Sequence, residues 1–144
     1  MKILSMRISK RWADHILAGR KTIEGRVMPK GGQLHKVKEG GFIRLQKGYT
    51  RFSLGYTVVE RTKIYNNFKE MCEQEGYTNC VPNVECLDDA VETYTGISKK
   101  YANATSVLAI QMRKCTAAEE EKARALWEEK KNISMNGPKV DLWV

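Results

Sequence analysis

Only two histidines, His15 and His35, occur in this sequence, and its four cysteines, Cys72, Cys80, Cys86 and Cys115, stand eight, six and twenty-nine residues apart. No pair has the C-x-x-C spacing of a zinc knuckle or a redox motif, so neither a metal centre nor any other cofactor is expected. The spacing fits reduced thiols in an intracellular protein, cytoplasmic in the first place and with the nucleus also open. Long apolar runs are missing too. None approaches the roughly 20 residues that cross a bilayer, so no membrane association is expected. The opening MKILSMRISKRW is interrupted by Arg7 and Lys10 too early for a secretory leader. Internal repeats and low-complexity segments are absent, and 144 residues are most simply one domain.

What the first half lacks is acid. Residues 1–64 carry 15 Lys and Arg against 4 Asp and Glu, a balance of +11, whereas residues 65–115 stand at −2 and residues 116–144 at −1. The net charge of +8 is therefore located wholly in the first 64 residues. So concentrated a basic field draws in polyanions and makes their capture salt-sensitive, which points to nucleic acid.

The patterning divides the chain into short elements. KILSMRI reads as a first strand. Ser9 caps a helix whose Trp12, Ile16 and Leu17 share a face, with Gly19 as its left-handed stop. KTIEGRV is extended, and the glycine- and lysine-rich PKGGQLHKVKEGG at 29–41 is a loop, placed equally well as a flap beside a cleft or as a plain connection. FIRLQKG alternates as a strand, and FSLGYTVVERTKIY supplies a longer one in which Gly55 predicts a bulge or bend. Phe68, Met71 and Cys72 mark a helix ending near Gly76, and Leu87, Ala90, Val91 and Tyr94 a second closing near Gly96. TSVLAIQMR is a central strand. Thr116 then caps a helix with three glutamates at its positive end and a narrow stripe of Ala123, Leu126 and Trp127, before a tail in which Trp143 is expected to pack. Five or six short strands bent at glycine, with flanking short helices and an added C-terminal helix, predict an α+β architecture built on a small β-barrel, with residues 1–115 forming the barrel domain and 116–144 a helix and tail packed on it.

One segment gathers unlike charges just where a helix gives way to a strand: Lys21, Glu24 and Arg26. Glu24 and Arg26 fall on one strand face and Lys21 on the other unless the chain turns at Thr22. Such a set is either an exposed salt-bridge ladder of little energetic weight or a charged mouth for a phosphate or a base edge. The residues Gly19 to Arg26 fit G-x-K-x-x-E-x-R at all four fixed positions, in the setting strand, short helix with an aromatic, motif. In this the chain resembles the ASCH domain family, over residues 1 to about 113. The resemblance implies a PUA-like barrel and a cleft lined by Lys21, Glu24 and Arg26 that meets RNA or a nucleotide-like ligand. Family members are connected with RNA binding, RNA cleavage and, in one branch, removal of the acetyl group from N4-acetylcytidine by a lysine, a threonine and a later glutamate. Lys21 matches that lysine, Glu24 stands in the threonine's place, and Glu75 in CEQEGY lies where the later glutamate is expected.

The expected function is accordingly RNA-associated binding of RNA or a modified nucleoside in this cleft. The alternative is a metal-independent hydrolase there, using Thr22 as nucleophile or a water activated by Glu24, with Lys21 or Arg26 steadying the oxyanion and Glu75 as a further carboxylate. Arg20, Lys47 and Arg51 join the candidate RNA contacts, the latter two interleaved with Tyr49, Phe52, Tyr56 and Tyr65 in a mixture suited to stacking and phosphate contact. The C-terminal helix is a candidate seat for a protein partner.

Overall fold

In a computed structural model the chain forms a strongly curled mixed sheet, a half-barrel, dressed with helices. The structure describes residues 2–28, 33–136 and 142–143. The strands are β1 (Ile3–Ile8), β2 (Ile23–Val27), β3 (Phe42–Lys47), β4 (Ser53–Tyr65), β5 (Val107–Lys114) and the two-residue β6 (Leu142–Trp143); the helices are α1 (Lys10–Leu17), α2 (Phe68–Glu75), α3 (Tyr77–Cys80), α4 (Leu87–Thr95), α5 (Lys99–Ala102) and α6 (Ala117–Asn136). Across the sheet the order is β2-β5-β4-β3-β1-β6. The pairs β2·β5, β5·β4 and β4·β3 are antiparallel, and β1 runs parallel to both β3 and β6. The expected α+β architecture of a small barrel-like sheet with flanking and C-terminal helices is the fold that forms, the barrel being an open half-barrel. Residues 29–32 of the expected flap lie outside the described residues; Leu34 and Val37 just after them are buried in the core. The packing expected of Trp143 likewise lies outside the described side chains.

The curl follows from two extra residues in β4. Leu45 pairs with Gly55 but Gln46 with Ser53, leaving Leu54 over, and Val59 pairs with Met112 but Arg61 with Gln111, leaving Glu60 over. Each bulge sharpens the local twist and bends the strand. Gly55, expected to mark the bend, sits beside the first of them where packing is close: a Cβ there would fall 2.8 Å from both terminal methyls of Leu17, so the glycine lets Leu17 of α1 rest directly on the strand.

Alternation along the strands sorts the apolar residues into three clusters. Leu4, Met6, Ile43, Leu45, Val59, Ile110 and Met112 fill the barrel interior, with Ala13 and Ile16 of α1. The outer face is covered twice. At one end α6 lays Ala123 and Trp127 over Ile3, Phe42, Tyr56 and Val58, its start fixed by a reciprocal cap in which Thr116 Oγ1 accepts from Glu119 N and Glu119 Oε1 accepts from Thr116 N. At the other end α2–α5 bury Ile23, Tyr65, Val107 and Ala109 under Phe68, Met71 and Tyr94. Four helices occupy the stretch where the sequence pattern predicts two, because α3 and α5 span four residues each and are too short to show a period.

Candidate functional site

Helix α1 is anchored by Ser9, whose side chain accepts from Trp12 N, and ends at Gly19 with φ +80°. The chain then doubles back, with Arg20 N and Lys21 N both donating to His15 O. This reversal turns Lys21 inward, to only 3 % exposure. A lysine so deeply buried must find partners for its ammonium, and it finds three oxygen acceptors. Nζ donates to Ile23 O at 2.6 Å, to Tyr94 Oη at 2.8 Å and to Cys80 O. The ammonium has three N–H donors, so its whole capacity is used in joining β2 to α3 and α4. Glu24 Oε1 lies 3.7 Å away.

Glu24, 6 % exposed, accepts from Gly25 N at 2.9 Å through Oε1 and from Arg26 Nη2 at 3.3 Å through Oε2. The same Arg26 nitrogen donates to Arg7 O at 2.9 Å. That bond crosses the open seam of the half-barrel: among the described residues no strand pairing joins β1 to β2, and the Arg26 side chain spans the gap between them. Burial works to raise the Glu24 carboxyl, but Lys21, Arg26 and the Gly25 amide together hold it below the usual carboxylate range, so it stays ionised. Burial also pulls the Lys21 ammonium below its usual range while Glu24 pushes it back up. Burial wins for the lysine, which faces one carboxylate, and loses for the glutamate, which faces two cations. Burial, reinforced by Glu24, keeps the Tyr94 phenol protonated.

A cavity of about 330 Å³ opens onto this cluster. Lys21 and Glu24 form its deep end; Trp12, Val81, Tyr94 and Tyr101 add apolar and aromatic wall; Arg7 and the exposed Ile97 border its rim. Two of the rings belong to a stack: Phe68 lies parallel to Tyr94 (centroids 4.6 Å apart) and to Tyr101 (5.4 Å). Gly25 makes room for that stack, since a Cβ there would stand 3.1 Å from Phe68 Cε1 and 2.7 Å from Met71 Cε. A concave, mainly apolar site with few convergent polar groups is the usual form of a small-ligand pocket, and this volume is at the lower end of the range.

The structure thus brings Lys21, Glu24 and Arg26 together, as a buried cluster and not as the exposed ladder that residue types alone allow. The other candidates lie elsewhere. Thr22 is absent from the cavity lining, and its backbone is tied between Asn79 O and Met112 N. Glu75 is engaged outside the cavity, where it accepts two bonds from Arg61 and one from Tyr65, whose phenol is pushed up to about 12 by burial and by that carboxylate. Arg20 Nε donates to His15 Nδ1 on the surface, and Lys47 and Arg51 are exposed around the β3–β4 turn. Pattern reasoning placed Tyr94 and Trp12 only on apolar helix faces. The Tyr94 hydroxyl was the available signal, because a buried phenol needs a partner. Among the described residues no three His, Cys, Asp or Glu side chains are placed to hold a metal ion, and no helix is long and apolar enough to cross a membrane.

Comparison with known proteins bears on the family and the fold. The family described as "ASCH domain" matches residues 6–132, a span that runs through most of α6. No curated protein is similar enough to count as a match. Among solved structures, that of the hypothetical protein PH0355 is 27% identical, with a TM-score of 0.65, over 78% of this chain and 99% of that one. Protein PF0455 from Pyrococcus furiosus is 24% identical, TM-score 0.59, over 78% and 96%. A point variant of the ASCH protein of Zymomonas mobilis shares 12% identity, TM-score 0.55, over 87% and 83%, a likeness of fold alone.

Proposed function

The chain belongs to the ASCH domain family, and from that premise we propose that it is an RNA-associated protein whose seam cavity receives one nucleoside unit, of RNA or of a modified nucleoside. One observation carries the proposal: an ionised, nearly buried carboxylate, Glu24, faces a cavity whose wall also carries Trp12, Val81, Tyr94 and Tyr101, while the Lys21 ammonium beside it is committed to protein acceptors. A carboxylate of this kind only accepts hydrogen bonds. The ligand group it suits is the N–H edge of a base, while Trp12 and Tyr101 offer apolar surface to the ring. The basic first half of the chain supplies attraction for the phosphates.

Binding is favoured over hydrolysis by the state of the candidate catalytic groups. Lys21 has no donor left for a substrate, Thr22 is off the cavity wall, and Glu24 is a weakened base because its carboxyl is held low. The test is calorimetric titration of the protein with nucleoside 5′-monophosphates and N4-acetylcytidine, in the natural sequence and in Glu24→Gln. Loss of a charge-accepted base contact predicts roughly tenfold or more weaker binding in Glu24→Gln. Binding that ignores the substitution would remove Glu24 from the site, and N4-acetylcytidine turnover abolished by it would make the cavity catalytic.

A further inference from the structure

The β3–β4 turn presents a large aromatic ring to solvent. Tyr49 is 85 % exposed, yet the turn that carries it is firmly built. Lys47 N donates to Phe52 O, Thr50 N and Thr50 Oγ1 both donate to Lys47 O, and Phe52 N donates to Thr50 Oγ1. Arg44, buried beneath Trp127, reaches into the turn and donates from Nη2 to Arg51 O at 2.7 Å. A loose loop tip would expose a tyrosine by indifference; this turn holds it in place.

The ring is also tied to the cavity. Gly48 N donates to Ile8 O at 3.1 Å, Lys47 pairs with Ile8 across the β1–β3 ladder, and Ile8 lines the cavity. Arg7 is the direct link: it borders the cavity, and its guanidinium lies 4.5 Å from the Tyr49 ring centroid. Its Nε is buried and has no hydrogen-bond partner among the described residues, and the guanidinium lies against the ring. Since Arg7 covers one face of a ring that is 85 % exposed, the opposite face is open. Lys47 and Arg51 flank it as exposed cations, and Phe52 adds a second exposed ring.

We propose that Tyr49 is a stacking platform for the nucleotide next to the one in the cavity, so that the ligand is a single strand of RNA running from the cavity over Arg7 onto the β3–β4 turn. The proposal rests on the cavity taking a nucleoside unit and names what that unit is attached to. A base stacks on the open face of Tyr49, the intervening phosphate meets Arg7, and Lys47 and Arg51 accompany the backbone. Stacking of this kind accepts any base, because each has a π-face, so selectivity stays with the cavity. Charge complementarity argues for a nucleic acid over a protein as occupant of this surface, since three of the residues involved, Arg7, Lys47 and Arg51, are cations.

The experiment compares two probes, a nucleoside 5′-monophosphate followed by calorimetry and a 5′-fluorescein-labelled eight-nucleotide single-stranded RNA of mixed sequence followed by anisotropy. Tyr49→Ala should weaken the eight-mer about tenfold or more and leave the monophosphate unchanged, and Tyr49→Phe should keep the affinity of both. Lys47→Gln or Arg51→Gln should flatten the dependence of log K on log salt by about 0.7 per lost phosphate contact. An eight-mer that binds no tighter than the monophosphate, or binds equally well to Tyr49→Ala, overturns the proposal, as does equal competition by double-stranded RNA. If the eight-mer binds in a Tyr49-dependent way while no monophosphate binds, the cavity assignment fails and the turn stands as a strand-binding surface by itself. If neither probe binds, both fall.

Discussion

Replacing Lys21 by methionine is the perturbation that tests the site's construction most directly. Methionine nearly matches the lysine in length and removes the charge, so no large cavity is left behind. What changes is electrostatic. Ile23 O and Cys80 O lose their donor, the Tyr94 hydroxyl loses the ammonium, and Glu24 keeps only Arg26 and the Gly25 amide. Removing one partner of a buried ion pair costs about 3–5 kcal/mol. For a chain of this size that is a fall of roughly 10 °C or more in melting temperature. A substitution at an exposed motif lysine would cost under about 1 kcal/mol. Urea denaturation at neutral pH separates the two.

The pH dependence gives an independent check. In the natural protein the Glu24 carboxyl is held below its ordinary value of 4.5, so its contribution is present above that value and is lost as pH falls through the lower folded one. In Lys21→Met the first of the opposing cations is gone, so the folded carboxyl rises relative to that of the natural protein. The variant then gains less stability, or none, as the carboxyl ionises with rising pH. The gap between the two proteins should therefore be narrow near pH 4 and widen towards pH 7. The double variant Lys21→Met/Glu24→Gln should cost less than the sum of its parts, because the two side chains are in contact. A loss below about 1 kcal/mol for Lys21→Met, with a gap flat in pH, would refute the claim that Lys21 carries the join between the sheet and the helical cover.

Two further outcomes follow from the fold. Trp127→Ala should destabilise the chain by about 3–5 kcal/mol, because the indole is buried against the outer sheet face and covers Arg44, while nucleotide affinity in the cavity, which belongs to a separate cluster, stays within about twofold; thermal melts and titration of the same preparation check both. Glu75→Gln should leave nucleotide binding unchanged, since Glu75 pairs with Arg61 and Tyr65 outside the cavity, and should lower the Tyr65 phenol from its value of about 12, readable by ultraviolet titration.

The strands and the longer helices were legible because each is a local pattern. Alternation marks β3, the stop at Gly19 marks the end of α1, and the Thr116 cap marks the start of α6. The motif residues were legible as a group for the same reason, lying within six positions. What stayed hidden was their environment. Lys21 bonds to Cys80 and Tyr94, 59 and 73 residues further on, and no periodicity records a contact of that range. A lysine also reads as a surface residue by default, so its burial could come only from three dimensions. Glu75 shows the converse: its distance along the chain fits a family position, but Arg61 on β4 lies close enough to claim it.

The cleft lies where a curled sheet stops short of becoming a tube, and the two borders there are clasped by one arginine in place of a ladder. A molecule lodged in that gap touches both borders, so its grip depends on how tightly the sheet is wound. Winding is set far round the circumference, at the surplus residues Leu54 and Glu60 of β4. Deleting either one should loosen ligand hold from the far side of the protein, like a bracelet whose catch no longer meets after a link is removed opposite.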